Sequence, residues 1–311
     1  MTRKHDPRNI PAIAYIRGTF DALRLAQMCG GKAIGNAVIE GLATYGSRMP
    51  RSLCYQTTPD ALPVVDRVVL CTRENAERIA ASAKIVVDDP RAAFLTLLKL
   101  LEPDWTRTVR EQGADVTLGT HSIHPTAIVE PGVIIGRGTE IEPYCVIHAG
   151  SIIGENALIA SGAKIGGHGS VKGESWARHH RGVCHIGKDV EIGGNSTILK
   201  GMLAPTRIGD GTTIGNMVHV SHGVYIGRDT WITVGVLICG HTWIGNNVTI
   251  GAGAVLRDNI EIGHSAQIGM GSVVINNVAD NETVMGVPAR PKQVKTSLAG
   301  SVSSLKYGPR D

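Results

Sequence analysis

Aromatic residues are scarce in this chain. Phe, Trp and Tyr together make up 4% of its 311 residues, and only two are Phe. Large rings normally fill a broad core, so their scarcity points to a thin one. No run approaches the ~20 apolar residues that cross a bilayer, which excludes a transmembrane segment from the reading. Met1 to Asp6 is not followed by an apolar signal region. The six Cys (29, 54, 71, 145, 184 and 239) show no paired spacing, so reduced thiols and a cytoplasmic location are expected. The net charge of +4 is too mild to mark a nucleic-acid binder, although it suits an anionic donor or acceptor.

What is present is Gly, at 39 residues, and a hydrophobic content of 42%. An aliphatic residue recurs every sixth position from Ile123 through Val129, Ile135, Ile141, Ile147, Ile153 and Ile159 to Ile165. The beat resumes at Ile186, Ile192 and Ile198, and again from Ile208 to Val274. Twelve of these positions are Ile followed directly by Gly. Neither a helix nor an ordinary strand has a period of six. A triangular β-helix does, because each short side points one aliphatic residue inward. Three sides make an 18-residue coil, so the hexads predict about eight coils, each rising ~4.8 Å. Two insertions interrupt them, Gly166–His185 and Lys200–Arg207. The His179-His180-Arg181 cluster of the first is read as a solvated loop, with phosphate binding or a subunit contact as the alternative.

The N-terminal part reads as a small α/β unit. Residues 1–20 form a leader. Asp21 caps a helix that ends at Gly30-Gly31, and Asp89-Pro90 starts a second helix carrying Phe94, Leu97, Leu98 and Leu101. Residues 37–42, 64–71 and 85–87 read as strands. The expected organisation is an α+β domain over 1–103, a linker over 104–120, a β-helix over 121–288 and a short tail over 289–311.

The run Val190-Glu191-Ile192-Gly193-Gly194-Asn195, continuing to Asn216-Met217-Val218-His219-Val220-Ser221-His222-Gly223-Val224-Tyr225-Ile226-Gly227, resembles the UDP-3-O-acyl-glucosamine N-acyltransferases of lipid A synthesis. So do the opening Ile123-His124-Pro125-Thr126-Ala127 and a Trp-bearing insertion, here with Trp176. The resemblance implies a left-handed parallel β-helix and a homotrimer with active sites between neighbouring helices. It also implies transfer of an acyl group from a carrier thioester (acyl carrier protein or CoA) to the amine of an amino sugar. The acceptor would be UDP-linked or carried on another nucleotide.

Amide formation from a thioester needs a base for the amine proton and a donor for the tetrahedral oxyanion. His222 stands two residues after inward Val220, which takes it off the core side, and it matches the family's catalytic His. Gly240 lies one coil beyond His222, where the family uses a Gly; its N–H is expected to face the attacked carbonyl, although a corner Gly is the plain alternative. His241 and Asn259, also one coil apart, are expected to stack beside the substrate. Tyr55, Gln56 and Trp176 are the remaining candidates for acceptor binding. Arg257, Arg290 and Lys292 are the candidates for a donor phosphate or an acidic carrier. No metal site is expected.

Several positions depart from the family. Asn259 replaces a second His, and Gly215 replaces an Asp seven residues before the base. Leu53 and Pro59 replace aromatic residues of the uracil pocket. The ending Val284 to Arg290 is similar to that of CoA-dependent sugar acetyltransferases. These departures suggest a divergent paralogue with another acceptor. Two other readings stay open: a non-catalytic trimeric scaffold, and a zinc β-helix enzyme using His185, His219 and His222.

Overall fold

A computed structural model describes residues 13–43, 49–56, 64–112, 116–169 and 180–292. The N-terminal unit is a six-stranded sheet: β1 (Ile13–Asp21), β2 (Lys32–Gly35), β3 (Val38–Ala43), β4 (Ser52–Tyr55), β5 (Val64–Cys71) and β6 (Ala81–Val86), in spatial order β1-β3-β4-β5-β6-β2. The inner strands β3 to β6 run parallel, and the outer two are antiparallel to their neighbours. Helix α1 (Ala22–Cys29) begins at Asp21, whose carboxylate accepts from the Arg24 N–H, and stops at Gly30 in the left-handed region. Helix α2 (Arg73–Ala76) is a single turn. Helix α3 (Pro90–Leu100) is capped by Asp89 and buries Phe94, Leu97 and Leu98 against the sheet.

The expected leader differs from what is seen. Its residues from Ile13 onward form β1, an edge strand. A register irregularity between Tyr15 and Phe20, with Gly18 at φ +87°, breaks the alternation by which a strand is recognised. The segment expected as a linker contains helix α4 (Trp105–Gln112). On one side of α4, Arg107 reaches Glu40 at 2.8 Å and covers the Tyr15 ring. On the other, Val109 is buried with Ile152 and Val183, and the Trp105 ring lies against Gly150.

From Ser122 the chain winds as a β-solenoid with parallel faces of nine, eight and seven rungs, which amounts to eight coils of three sides. A short antiparallel strand, Arg290–Pro291, closes the first face. The inward column of Ile, Val and Leu is nearly solvent-free along its length, and each buried side chain of this size contributes roughly 1.5–3 kcal/mol. Several hydroxyls share this interior and offset their desolvation by donating to carbonyls. Thr139 donates to Gly154, Ser196 to Gly215, Thr212 to Gly227 and Thr242 to Arg257. Among the described residues, no helix is long and apolar enough to cross a membrane.

Candidate active site

The corner between the second and third faces carries the catalytic candidates. It stacks in register: the His241 N–H donates to the His222 carbonyl at 3.1 Å, and the Asn259 N–H to that of Gly240 at 3.0 Å. Gly223, His241 and Asn259 therefore occupy one corner position on successive coils, all left-handed at φ +67°, +58° and +57°. His and Asn tolerate that backbone better than most residues, so a side chain on this column projects from a strained but repeated corner.

His222 is half-buried and enclosed by its neighbours. Its ring centroid lies 4.9 Å from that of His241 and 5.3 Å from that of His180, both edge-on. Nδ1 is sealed from solvent with no hydrogen-bond partner among the described residues. Burial, and secondarily the neighbouring His241, holds the His222 pKa below the ordinary 6.5. The imidazole is therefore neutral near pH 7, the form in which it accepts a proton.

Gly240 explains itself by close approach rather than by backbone shape, since its φ is not left-handed. A Cβ there would stand 3.0 Å from His222 Cε1 and 3.2 Å from Nε2. Among the described residues its N–H donates to no internal acceptor. The Gly240→Ala variant is expected to fold with an unchanged melting temperature, because the backbone accepts Ala. It should lose roughly 10- to 100-fold in kcat, because the methyl displaces the ring. Thermal unfolding alongside steady-state kinetics checks both halves.

A groove of about 360 Å³ opens beside this corner on the third face. His241 and Asn259 line it, with Arg207, Tyr225, Trp243 and Glu261 from the outward positions of successive rungs. The Tyr225 and Trp243 rings are parallel, 6.0 Å apart. Sequence reasoning passed over this column, although its 18-residue spacing was available at positions 207, 225, 243 and 261. Asn259 also donates to Asp258 at 2.7 Å.

The other candidates are dispersed. Tyr55 ends β4 and Gln56 follows it, at the carboxyl edge of the parallel strands where open α/β sheets bind ligands. Tyr55 packs on Phe94 at 5.2 Å, and Gln56 is buried. Arg257 is exposed on the His222 corner, one coil past Cys239. Arg290 and Lys292 lie at the far end of the first face, away from that corner. Trp176 and His179 fall outside the described residues. Gly215 sits at the opposite corner of the second face, where a Cβ would be 2.9 Å from the backbone of the next coil. Among the described residues, no three His, Cys, Asp or Glu side chains converge as metal ligands.

The reading of His180 and Arg181 as a solvated loop is corrected by their burial, with exposures of 0% and 8%. These two residues lie between the two units. The Arg181 N–H donates to the Met202 carbonyl, and its guanidinium donates to the Leu98 and Leu101 carbonyls at the end of α3. Leu203, from the second insertion, enters the N-terminal core. Lys200 is buried beneath Trp105 and donates to the Ala149 carbonyl, and burial pushes its pKa down to about 8.

The chain is similar to several known proteins. The bacterial transferase hexapeptide (six repeats) profile matches residues 132–167 and 241–276, and the hexapeptide repeat of succinyl-transferase profile matches 184–228. A UDP-3-O-acylglucosamine N-acyltransferase of Pseudomonas aeruginosa (strain LESB58) is 31% identical over 263 residues, covering 70% of this chain and 71% of the relative. The enzyme of the same name from Rickettsia akari (strain Hartford) is 46% identical over 145 residues, 45% of this chain and 42% of that protein. A crystal structure of UDP-N-acetylglucosamine O-acyltransferase from Moraxella catarrhalis RH4 is 26% identical. It aligns with 56% of this chain and 75% of its own at a TM-score of 0.49.

Proposed function

This chain belongs to the UDP-3-O-acylglucosamine N-acyltransferase family, and on that premise we propose that it acylates the amine of a nucleotide-linked glucosamine with His222 as general base. The observation that carries the reading is the close approach of Gly240 to the Cε1–Nε2 edge of a neutral His222.

In the proposed reaction the sugar amine attacks the thioester carbonyl. A C–N bond forms, and His222 Nε2 takes the amine proton. The Gly240 N–H stabilises the oxyanion of the tetrahedral intermediate. Collapse breaks the C–S bond, and the proton passes from His222 to the departing thiolate. The products are an amide and a free thiol. The groove with Arg207, Tyr225, His241 and Asn259 lies next to the reacting atoms and supports substrate binding there. Tyr55 and Gln56 support a contribution of the N-terminal unit to the acceptor, and the altered uracil-pocket positions favour an acceptor that differs from that of the relatives. Arg257 is the donor-binding candidate nearest the corner.

The reading includes a homotrimer. The outward column of the second face is polar in its middle, at Lys164, Thr197 and His219, and apolar at Ile128 and Val146 on one side and at Leu237, Val255 and Val273 on the other, with Ile128 and Leu237 exposed in one chain. Its apolar parts suit burial against a neighbouring solenoid.

A thiol-release assay tests the function. Acetyl-CoA and hydroxyacyl carrier proteins would be offered against free and nucleotide-linked amino sugars. The expected result is release that requires both a thioester and an amino sugar. Absence of release with every pair would count against the reading.

A further inference from the structure

An imidazole acting as a base must keep one nitrogen aimed at its substrate. The torsion that turns the ring is broad and two-fold, and a flip exchanges Nε2 with Cε1. Something must therefore hold the ring of His222. Among the described residues no carboxylate touches it, and its ring contacts are His180 and His241. His241 is exposed, whereas His180 is fully buried.

His180 is also well fixed. Its neighbour Arg181 is bonded through its backbone to Met202 and through its guanidinium to the end of α3. The two imidazoles meet at 65°, an edge-on contact that resists rotation of either ring. Gly169, from the start of the same insertion, presses on the pair. A Cβ there would lie 2.9 Å from His180 Nε2 and 3.0 Å from His222 Cδ2. The φ of Gly169 is not left-handed, so this proximity gives a reason for the absent side chain. The insertion thus packs a ring and a bare backbone against one side of His222, and Gly240 and His241 stand on the other.

We propose that His180 is a positioning residue: through its edge-on ring contact it holds the His222 imidazole with Nε2 toward Gly240, without itself touching substrate. The inference rests on His222 being the base.

The test is steady-state kinetics of the full chain on a donor–acceptor pair that it turns over, comparing wild type, His222→Ala, His180→Ala, His180→Phe and Gly169→Ala. His180→Ala is expected to lower kcat by about 10- to 100-fold with KM within about twofold, the signature of lost orientation. His180→Phe keeps a ring in place and should return kcat to within about fivefold of wild type. Gly169→Ala should lower kcat as His180→Ala does. Wild-type kcat in His180→Ala would overturn the proposal, as would a Phe variant no better than Ala. If the Ala variant does not fold, a folded Gly169→Ala with unchanged kcat overturns it equally. Full turnover in His222→Ala is a separate failure, which removes the base assignment and this inference with it.

Discussion

Replacing His222 with Ala is expected to lower kcat by about 10²- to 10⁴-fold, the range that a positioned general base contributes, and to leave the fold intact. The side chain is half-buried at a corner, outside the column of aliphatic residues that holds the solenoid together. Circular dichroism and melting temperature should therefore stay close to wild type while turnover collapses. KM should move little, because the base acts on the transition state more than on the bound substrates. A loss below about tenfold would reassign the base. The pH profile gives an independent check. Burial and His241 depress the His222 pKa below 6.5, so the protonated form gains population only at lower pH. The wild-type kcat, measured at saturating acceptor so that ionisation of the free amine does not enter, should be flat through neutrality and fall about tenfold per unit once the pH drops beneath that depressed value. A profile already falling at pH 7.5 would contradict a neutral, desolvated imidazole.

The second large effect concerns stability. The Arg181→Ala variant should lose about 3–5 kcal/mol. The guanidinium donates at 2.6 Å to the Leu98 carbonyl and at 3.2 Å to that of Leu101. These groups end α3, where carbonyls have no partner within the helix. A cation at a helix C-terminus is further favoured by the aligned peptide dipoles. Removing it strands two acceptors in a closed interface, and at this chain length the melting temperature should fall on the order of 10 °C. Both bonds come from one nitrogen, Nη2, so Arg181→Lys keeps the charge but loses the planar, weakly hydrated guanidinium that suits a buried site, and an intermediate loss is expected. Thermal unfolding of the three proteins ranks them, and equal melting temperatures would show that the bridge between the two units is not a stability element.

Much of this fold is legible in a single pass along the chain. One aliphatic residue in six specifies the solenoid, and the 18-residue coil already places His222 beside Gly240 and His241 beside Asn259. The caps Asp21 and Asp89 mark their helices because capping is a matter of three or four adjacent residues. Strand β1 escaped the reading because its irregular register removes the alternation. Helix α4 escaped because its eight residues, with Trp105 and Val109 turned to the solenoid, carry too short an apolar pattern to stand out.

The sequence by itself thus determined the repeat, its register and the pairing of His222 with Gly240, because each follows from a fixed spacing. The tertiary structure alone decided where the described ends of the first insertion and the residues of the second go. They have no period, and what holds them is distant: Arg181 bonds to carbonyls 80 and 83 positions away. Contacts of that range depend on how the two units dock, on Leu203 filling the N-terminal core and on α4 filling the joint. For that reason the histidine that packs against His222 reads in the sequence as solvated loop and is found in the structure as one of its most buried polar residues.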